Sequence, residues 1–301
     1  MVTTEKQDFY ILGRVTGHKQ ITDGTAYTTG YTYNLSGALN EETYPSGRVV
    51  KNVLTQDGDL SIVESKKNAT VGYFNYAKNF TYNAAGAATS LQLGNGKWES
   101  TTFNSRLQPA QIALGTIQNG TDKLKLNYDY GSTANNGNVQ SQTITVQSGF
   151  TATQTYTYDA LNRLNDATET GTSGWKQTFT YDRYGNRRFD EPNTTMPSSF
   201  ANQAVTDPTV STANNRLTST GYSYDNAGNT TAAASGQSFT YDGENKQVQV
   251  NSGASILGQY SYDGGGKRIK KYVPASGETT IFVYDASVAV SPSNPSHASH
   301  A

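Results

Sequence analysis

A short motif recurs along the chain and constrains its fold more than any other feature. The motif is an aromatic residue, any residue, Tyr, Asp or Asn, two further residues, and then Gly or Asn. It occurs at 31–37, 80–86, 156–162, 179–185, 222–228, 239–245 and 260–266, with a shortened copy at 282–285. Neighbouring Tyr-Asp pairs near the C-terminus lie about 17 to 23 residues apart. Self-similarity at a nearly fixed period is typical of repeat architectures.

Each position of the motif has a physical role in a β-hairpin. The two aromatic residues are separated by one residue, so on a strand they share one face. The Asp or Asn that follows can accept hydrogen bonds from backbone amides just ahead and so end the strand in a turn. The Gly or Asn four residues after the Tyr can adopt the positive φ that a tight hairpin needs. Each repeat is therefore predicted to be one hairpin.

The series of motifs predicts an all-β fold of tandem β-hairpin repeats. One hairpin is marginal in water, whereas many in series can pair edge to edge into a long antiparallel sheet, which strand twist will curve. Periodicity leaves open whether this curved or spiral sheet forms a partial shell or a barrel. The residues predicted to build the repeat and its turns are Tyr158, Asp159, Tyr181, Asp182, Gly185, Tyr224, Asp225, Gly228, Tyr241, Asp242, Tyr262, Asp263, Tyr284 and Asp285.

Charge and hydropathy argue against two classes of partner. Only 16% of residues are charged, below the ~25% of typical soluble domains, and the formal net charge is −1. Such a chain has no strong electrostatic field with which to attract nucleic acid. No stretch approaches the ~18 consecutive apolar residues that suggest a membrane span. We therefore expect no nucleic-acid partner and no membrane insertion.

Candidate catalytic groups are sparse. The chain has no cysteine, which excludes thiolate nucleophiles and disulfides, and many of its 24 acidic residues are the turn Asp of a repeat. No Ser-His-Asp arrangement can be recognised among its three histidines, and a flexible tail holding His297 and His300 would make a poor metal site. The sequence predicts no catalytic residue, no metal site and no cofactor, and so a protein that is not an enzyme.

Carbohydrate binding is the alternative function. Rows of tyrosine and tryptophan on a sheet can stack on sugar faces, while Asn, Asp and Thr supply hydrogen bonds. Trp98 and Trp175 both follow Gly-containing turns and are the best candidates for sugar stacking. Packing of these two rings against neighbouring strands explains their presence equally simply.

The motifs resemble the Rhs/YD-repeat family, which includes bacterial Rhs proteins, the C-component of insecticidal Tc toxin complexes and animal teneurins. Its signature is close to Tyr-Asp-x-x-Gly-Asn/Arg-Arg/Leu, and the run 181–187 matches it in full. Runs 224–229 and 158–164 match closely, and the resemblance covers about residues 27 to 285. The resemblance implies a β-sheet spiral that winds into a hollow shell around a C-terminal toxin or effector.

The chain also departs from that family pattern. The self-cleaving Asp-Pro-x-Gly motif of secreted bacterial members does not occur, since the pair Asp207-Pro208 is followed by Thr209. The function predicted is therefore a structural shell or scaffold fragment without cargo or autoprotease. Its expected partner is an encapsulated effector polypeptide, or a cell-surface glycan under the alternative function.

The resemblance also guides the expected location and organisation. The first residues lack a basic-then-apolar signal region, so we expect a secreted or cell-surface protein that is exported without a signal or is part of a larger exported protein. The predicted organisation is 1–26 as N-terminal lead-in strands, 27–288 as the repeat domain, and 289–301 as a disordered, low-complexity tail.

Overall fold

A computed structural model describes residues 4–9, 13–171, 174–195, 205 and 207–285. These residues form two antiparallel sheets, one of 16 strands and one of 7, in which the strands follow one another in sequence order. Within each sheet, hairpin turns or loops join consecutive strands, as in a meander. The prediction of an all-β fold built from tandem hairpins is confirmed.

The strands are mostly short, and a 3₁₀ turn at Glu191–Asn193 follows the first sheet. The first sheet comprises β1 (Thr4–Phe9), β2 (Val15–Thr22), β3 (Thr25–Tyr33), β4 (Leu39–Thr43), β5 (Val49–Leu54), β6 (Leu60–Lys66), β7 (Phe74–Tyr82), β8 (Ala88–Leu93), β9 (Trp98–Phe103), β10 (Pro109–Gly115), β11 (Leu124–Asp129), β12 (Ser141–Val146), β13 (Thr151–Tyr158), β14 (Leu164–Thr170), β15 (Trp175–Tyr181) and β16 (Arg187–Phe189). The second sheet comprises β17 (Ser223–Tyr224), β18 (Thr230–Ala232), β19 (Gln237–Tyr241), β20 (Gln247–Ser252), β21 (Ser255–Tyr262), β22 (Arg268–Val273) and β23 (Glu278–Ile281).

The buried positions of the sheets are occupied mainly by small residues. Ala113, Ala152 and Ala167 are buried, as are Ser90 and Ser100. Most other strand residues are only half-buried. Backbone pairing and cross-strand contacts, rather than one deep apolar core, therefore carry much of the stability of these sheets.

A five-residue turn with one recurring geometry closes most hairpins. In the turn at 182–186, the Gly185 amide donates to the Asp182 carbonyl and the Asp182 amide donates to the Asn186 carbonyl, both at 3.1 Å. Gly185 has a φ of 85°. This is a type I turn followed by a left-handed residue in a bulge, a common form of three-residue hairpin loop. The same pair of backbone bonds closes the turns at 34–38, 44–48, 55–59, 83–87, 93–97, 104–108, 159–163, 225–229, 233–237, 242–246 and 263–267.

The left-handed position of these turns is not always filled by glycine. Asn162 and Asn245 occupy it with φ of 59° and 60°, and Leu107 occupies it with φ of 61°. Asn tolerates this conformation, whereas a leucine there costs about 1–2 kcal/mol. The sequence pattern anticipates Gly or Asn at this position, so Leu107 is the departure from it.

The described chain divides into two compact units. Unit 1 consists of Met1–Val49 together with Asn202–Ala301, and unit 2 is the continuous segment Val50–Ala201. The first strands and the last repeats therefore belong to one unit although the whole of unit 2 separates them in sequence. The domain boundaries expected from sequence at 26/27 and 288/289 stay predictions, and the proposed tail at 289–301 lies outside the described residues.

Replacing Gly185 tests the turn geometry directly. A Cβ at this position would meet open space, so any loss of stability must come from the positive φ rather than from a clash. We expect Gly185→Val to lower the free energy of unfolding by about 1–3 kcal/mol. Gly185→Asn should cost less, because Asn fills the same position in other turns of this chain. Urea denaturation measures both; a neutral valine, or equal losses for the two variants, would show that φ does not control this turn.

Candidate functional site

The candidate site is the set of repeat turns together with the tyrosines that precede them. Asp182 is the first residue of its turn, and both of its carboxylate oxygens accept hydrogen bonds. Its Oδ1 accepts the backbone amides of Tyr184 at 2.8 Å and Asn186 at 2.9 Å, and its Oδ2 accepts the Asn186 side-chain amide at 2.7 Å. The turn is thereby held by side-chain as well as backbone hydrogen bonds.

The other Asp residues of the motif have the same position and similar bonds. Asp159 accepts the amides of Leu161 and Arg163, both at 2.9 Å, and the Arg163 guanidinium at 2.7 Å. Asp225, Asp242 and Asp263 each accept the backbone amide four residues ahead. Asn34, Asn83 and Asn104 accept the equivalent amide in their turns.

These hydrogen bonds determine how the turn carboxyls titrate. The Asn186 side-chain amide, aided by backbone amides, lowers the pKa of Asp182 below its usual value. The backbone amide of Arg163 is the main cause of a lowered pKa at Asp159, and the Asn229 side chain lowers that of Asp225. These carboxyls are therefore ionised turn acceptors at neutral pH, and a lowered pKa makes them weak general bases.

The tyrosine of most motifs bonds its hairpin to an earlier part of the chain. The hydroxyl of Tyr181 donates to the Leu164 carbonyl at 2.6 Å, and that of Tyr158 donates to the Val139 carbonyl at 2.7 Å. We call these hydroxyl-to-carbonyl bonds the tyrosine anchors. Further anchors join Tyr33 to Val15, Tyr82 to Leu60, Tyr130 to Pro109, Tyr224 to Leu217, Tyr262 to Gln247 and Tyr284 to Arg268.

The acceptor of several anchors is the residue that begins the return strand of the preceding hairpin. Leu164, Gln247 and Arg268 are the first residues of β14, β20 and β22. Burial is the leading cause of a raised pKa at Tyr82, Tyr158 and Tyr284. These phenols therefore remain protonated donors at neutral pH, so the anchors persist across the neutral range.

Sequence reasoning placed these tyrosines on one face of a strand and missed the anchors. A signal was present, because the first aromatic position of the motif alternates between Tyr and Phe whereas the position before the Asp or Asn is Tyr in every copy. Only a tyrosine can supply the hydroxyl that an anchor uses. Ring stacking is seen for Phe80 and Tyr82, whose centroids are 6.2 Å apart on one strand.

Cations cover several of the anchoring rings. The guanidinium of Arg163 lies 4.4 Å from the centroid of the Tyr181 ring, and the ammonium of Lys267 lies 5.2 Å from that of Tyr284. Both cations immediately follow the left-handed residue of the preceding turn. Cation–π contacts of this kind contribute about 0.5–1 kcal/mol at exposed sites, and they add to the link between consecutive hairpins.

The remaining predicted residues of the motif are Gly228, Tyr241 and Asp285. Gly228 has a φ of 91° in its turn, and Tyr241 ends β19 opposite Gln247. Asp285 follows β23 and, after burial, contributes to a raised pKa at Glu42.

The two tryptophans begin strands and are half-buried. Trp98 lies opposite Gly115 and Gln92 in the sheet, and Trp175 lies opposite Glu169. The sugar-stacking role of both rings stays a prediction.

A polar cleft lies elsewhere in unit 2. It has a volume of about 510 Å³ and is lined by Thr81, Asn83, Thr89, Thr101, Thr102, Phe103, Asn104, Leu107 and Asn119. Its lining contains hydroxyls, amides and two apolar side chains but no charged residue. Such a surface can hydrogen-bond an uncharged polar ligand and contact its apolar faces.

Within the described part of the chain, no group of three or more His, Cys, Asp or Glu residues is arranged to hold a metal ion. No helix there is long and apolar enough to cross a membrane.

Removing one hydroxyl tests the tyrosine anchors. Tyr181→Phe keeps the ring but leaves the Leu164 carbonyl without this donor, so we expect a loss of about 1 kcal/mol in the free energy of unfolding. The matched control is Tyr184→Phe, because Tyr184 is 53% exposed and its hydroxyl contacts only the adjacent Arg183 among the bonds described. The control should change stability by no more than about 0.5 kcal/mol. Equal urea midpoints for the two variants would contradict a stabilising anchor.

Comparison with known proteins was made for the whole chain. The family described as Teneurin YD-shell matches residues 51–300. No curated protein matches the chain. Among solved structures, the Photorhabdus luminescens Tc holotoxin pore matches with a TM-score of 0.72 and 20% identity over 90% of this chain. The TcdB2-TccC3 crystal structure matches with a TM-score of 0.72 and 21% identity over 92%.

This chain spans only 15% and 16% of those two structures' chains, and at such identities the likeness establishes the fold. The family match covers most of the repeats, including the 181–187 signature, and it confirms the resemblance inferred from the motifs. With its serial hairpins, Asp-closed turns and tyrosine anchors, the chain belongs to the teneurin YD-shell family.

Proposed function

We propose that this chain is a non-catalytic segment of a shell wall whose enclosed partner is an effector polypeptide. The observation that carries the proposal is the series of tyrosine anchors, which join hairpin to hairpin along the sheets. A wall must resist separation between neighbouring strands more than it needs a deep core, and anchors outside the backbone ladder provide that resistance.

The thin core supports the same role. Because alanine and serine fill many of the buried positions, the sheets depend strongly on lateral links for stability. A slip of one residue in the register of a hairpin would turn every side chain to the opposite face. It would also break the Asp-held turn and the anchor together, so each repeat resists shear.

The nature of the partner is supported by similarity. The matched structures include the Tc holotoxin pore and the TcdB2-TccC3 complex, and the chain shares their fold. We propose an effector polypeptide as the partner and an exported, toxin-like setting as the location. The Asp-Pro-x-Gly motif does not occur in this sequence, so we propose no self-cleavage for it.

Protease protection tests enclosure. A protease-sensitive, unfolded polypeptide fused after Ala301 should be digested more slowly than the same polypeptide fused to a compact globular carrier. A variant with Tyr158, Tyr181 and Tyr262 all changed to Phe should lose that protection, because the wall opens between hairpins. Digestion at the carrier's rate in the unmodified chain would contradict enclosure by this segment.

Binding of an uncharged carbohydrate is the second candidate function. It is favoured by the neutral, hydroxyl-lined cleft, in which Thr101 and Thr102 lie beside Phe103. We expect glycan-array binding to fall at least tenfold in Thr102→Val and to persist in Trp98→Phe. Binding that instead requires Trp98 or Trp175 would show that the sugar binds at the tryptophans and not in the cleft. The absence of any signal on the array would contradict carbohydrate binding.

A further inference from the structure

Within unit 1, an early strand and the last repeat are joined by the side chain of Gln20. The Gln20 Nε2 donates to the Phe282 carbonyl at 2.9 Å and to Thr22 Oγ1 at 3.1 Å. The Gln20 Oε1 accepts the Tyr284 amide at 3.4 Å. The partners are separated by 262 and 264 residues in sequence, so this single amide links the two ends of the described chain.

The segment 282–284 is held from its other side by β22. The Phe282 amide donates to the Ile269 carbonyl at 3.0 Å, and the Tyr284 hydroxyl donates to the Arg268 carbonyl at 2.7 Å. Gln20 thus offers this extended segment one donor and one acceptor, as the backbone of a neighbouring strand would. The backbone groups of this last extended segment therefore form hydrogen bonds with a side chain instead of with another hairpin.

An ion pair lies at the tip of the same early hairpin. Asp23 and Gly24 connect β2 to β3 with φ of 50° and 82°, the two positive values of a type I′ Asp-Gly turn. The Asp23 carboxylate pairs with the Lys270 ammonium of β22. We call Gln20, Asp23, Lys270 and the segment 282–284 the seam.

The β2 face that contributes Gln20 to the seam is polar although it is buried. His18, Gln20 and Thr22 alternate on one face of β2 and are 1%, 4% and 1% exposed. Buried polar groups regain hydrogen bonds with water when they separate, so each contributes only modestly to stability, whereas an apolar face would lose its burial free energy in full. A polar seam therefore costs less to open than an apolar one of equal area.

The topology also favours opening at this place. Closing the seam brings together residues separated by almost the whole described chain, while unit 2 is built from one continuous segment with local hairpin contacts. Contacts of long sequence separation pay more loop-closure entropy than local ones. The least costly local opening of unit 1 is thus expected at the seam.

We propose that the seam is a latch that opens reversibly, releasing 282–284 and β22 from the β2–β3 hairpin while unit 2 stays folded. This inference does not depend on the identity of any enclosed partner. A permanent structural joint is the competing interpretation, and it differs in one measurable respect: its buried side chains become accessible only when the whole chain unfolds.

Thiol labelling measures the opening, because the chain has no cysteine. Thr22→Cys places one thiol on β2 and Ile269→Cys places one on β22, at positions 1% and 0% exposed, and Ser100→Cys is a matched buried probe in unit 2. The two seam thiols should react at equal rates, at least tenfold faster than the Ser100→Cys thiol under native conditions. Equal rates for all three probes would overturn the latch in favour of the permanent joint.

A second substitution identifies Gln20 as the closing contact. Adding Gln20→Ala should raise the labelling rate on both sides of the seam about tenfold, the equivalent of 1.4 kcal/mol, and leave the Ser100→Cys thiol unchanged. The matched control is Gln249→Ala, since Gln249 bonds only its near neighbours Asn251 and Gln259 among the contacts described. Acceleration on one side only, or equal effects of the two glutamine variants, would contradict the proposal.

Cross-linking tests the latch while leaving Gln20 and its contacts to 282–284 in place. A carbodiimide joins a lysine to a carboxylate in direct contact, so it should link Lys270 to Asp23 in otherwise unmodified chains carrying either seam thiol. The cross-linked protein should show at least tenfold slower labelling at both seam positions. Unchanged labelling after confirmed cross-linking would mean that the thiols are reached by a motion other than opening of the seam.

Discussion

The structure depends first on the carboxylate or amide oxygen that opens most of the hairpin turns. One Oδ1 atom accepts the backbone amides two and four residues ahead, as at Asp182, and fixes the point at which the strand reverses. Because strand side chains alternate between faces, the reversal point determines which residues of both strands face inward. The following left-handed residue, such as Gly185, completes the bulge. The register of each hairpin is thus set locally, before any contact between repeats forms.

The tyrosine anchors convert these local units into a continuous sheet. A hairpin alone is marginal in water, and the buried alanines and serines of this chain supply little apolar burial. The Tyr181 hydroxyl binds the start of the preceding return strand, and Arg163 covers the same ring while its turn is held by Asp159. Turn, ring and cation are therefore coupled, so loss of one weakens the junction between two repeats rather than one hairpin.

The features that could be predicted from sequence are those that depend on residues close together in the chain. The hairpins and the all-β class follow from the spacing of Tyr, Asp and Gly within seven residues. The acceptor of each anchor could not be predicted, because it is a backbone carbonyl in another repeat and carries no side-chain signature. The preference for Tyr over Phe before the Asp was the only available signal. Leu107 in a left-handed position also escapes the pattern, since its turn is held by Asn104.

The contact between Gln20 and 282–284 is one that the repeat pattern does not predict. Within the series, each hairpin pairs with the next one along the chain, so its pairing does not depend on residues far away in sequence. The last strand has no following hairpin among the described residues, and an unpaired edge exposes backbone donors and acceptors. Gln20 meets that need with an amide, and neighbouring β2 side chains that would be apolar in an ordinary core are polar here. The same choice that satisfies the edge favours its reversible opening, because the released side chains of Gln20, Asp23 and Lys270 can be hydrated.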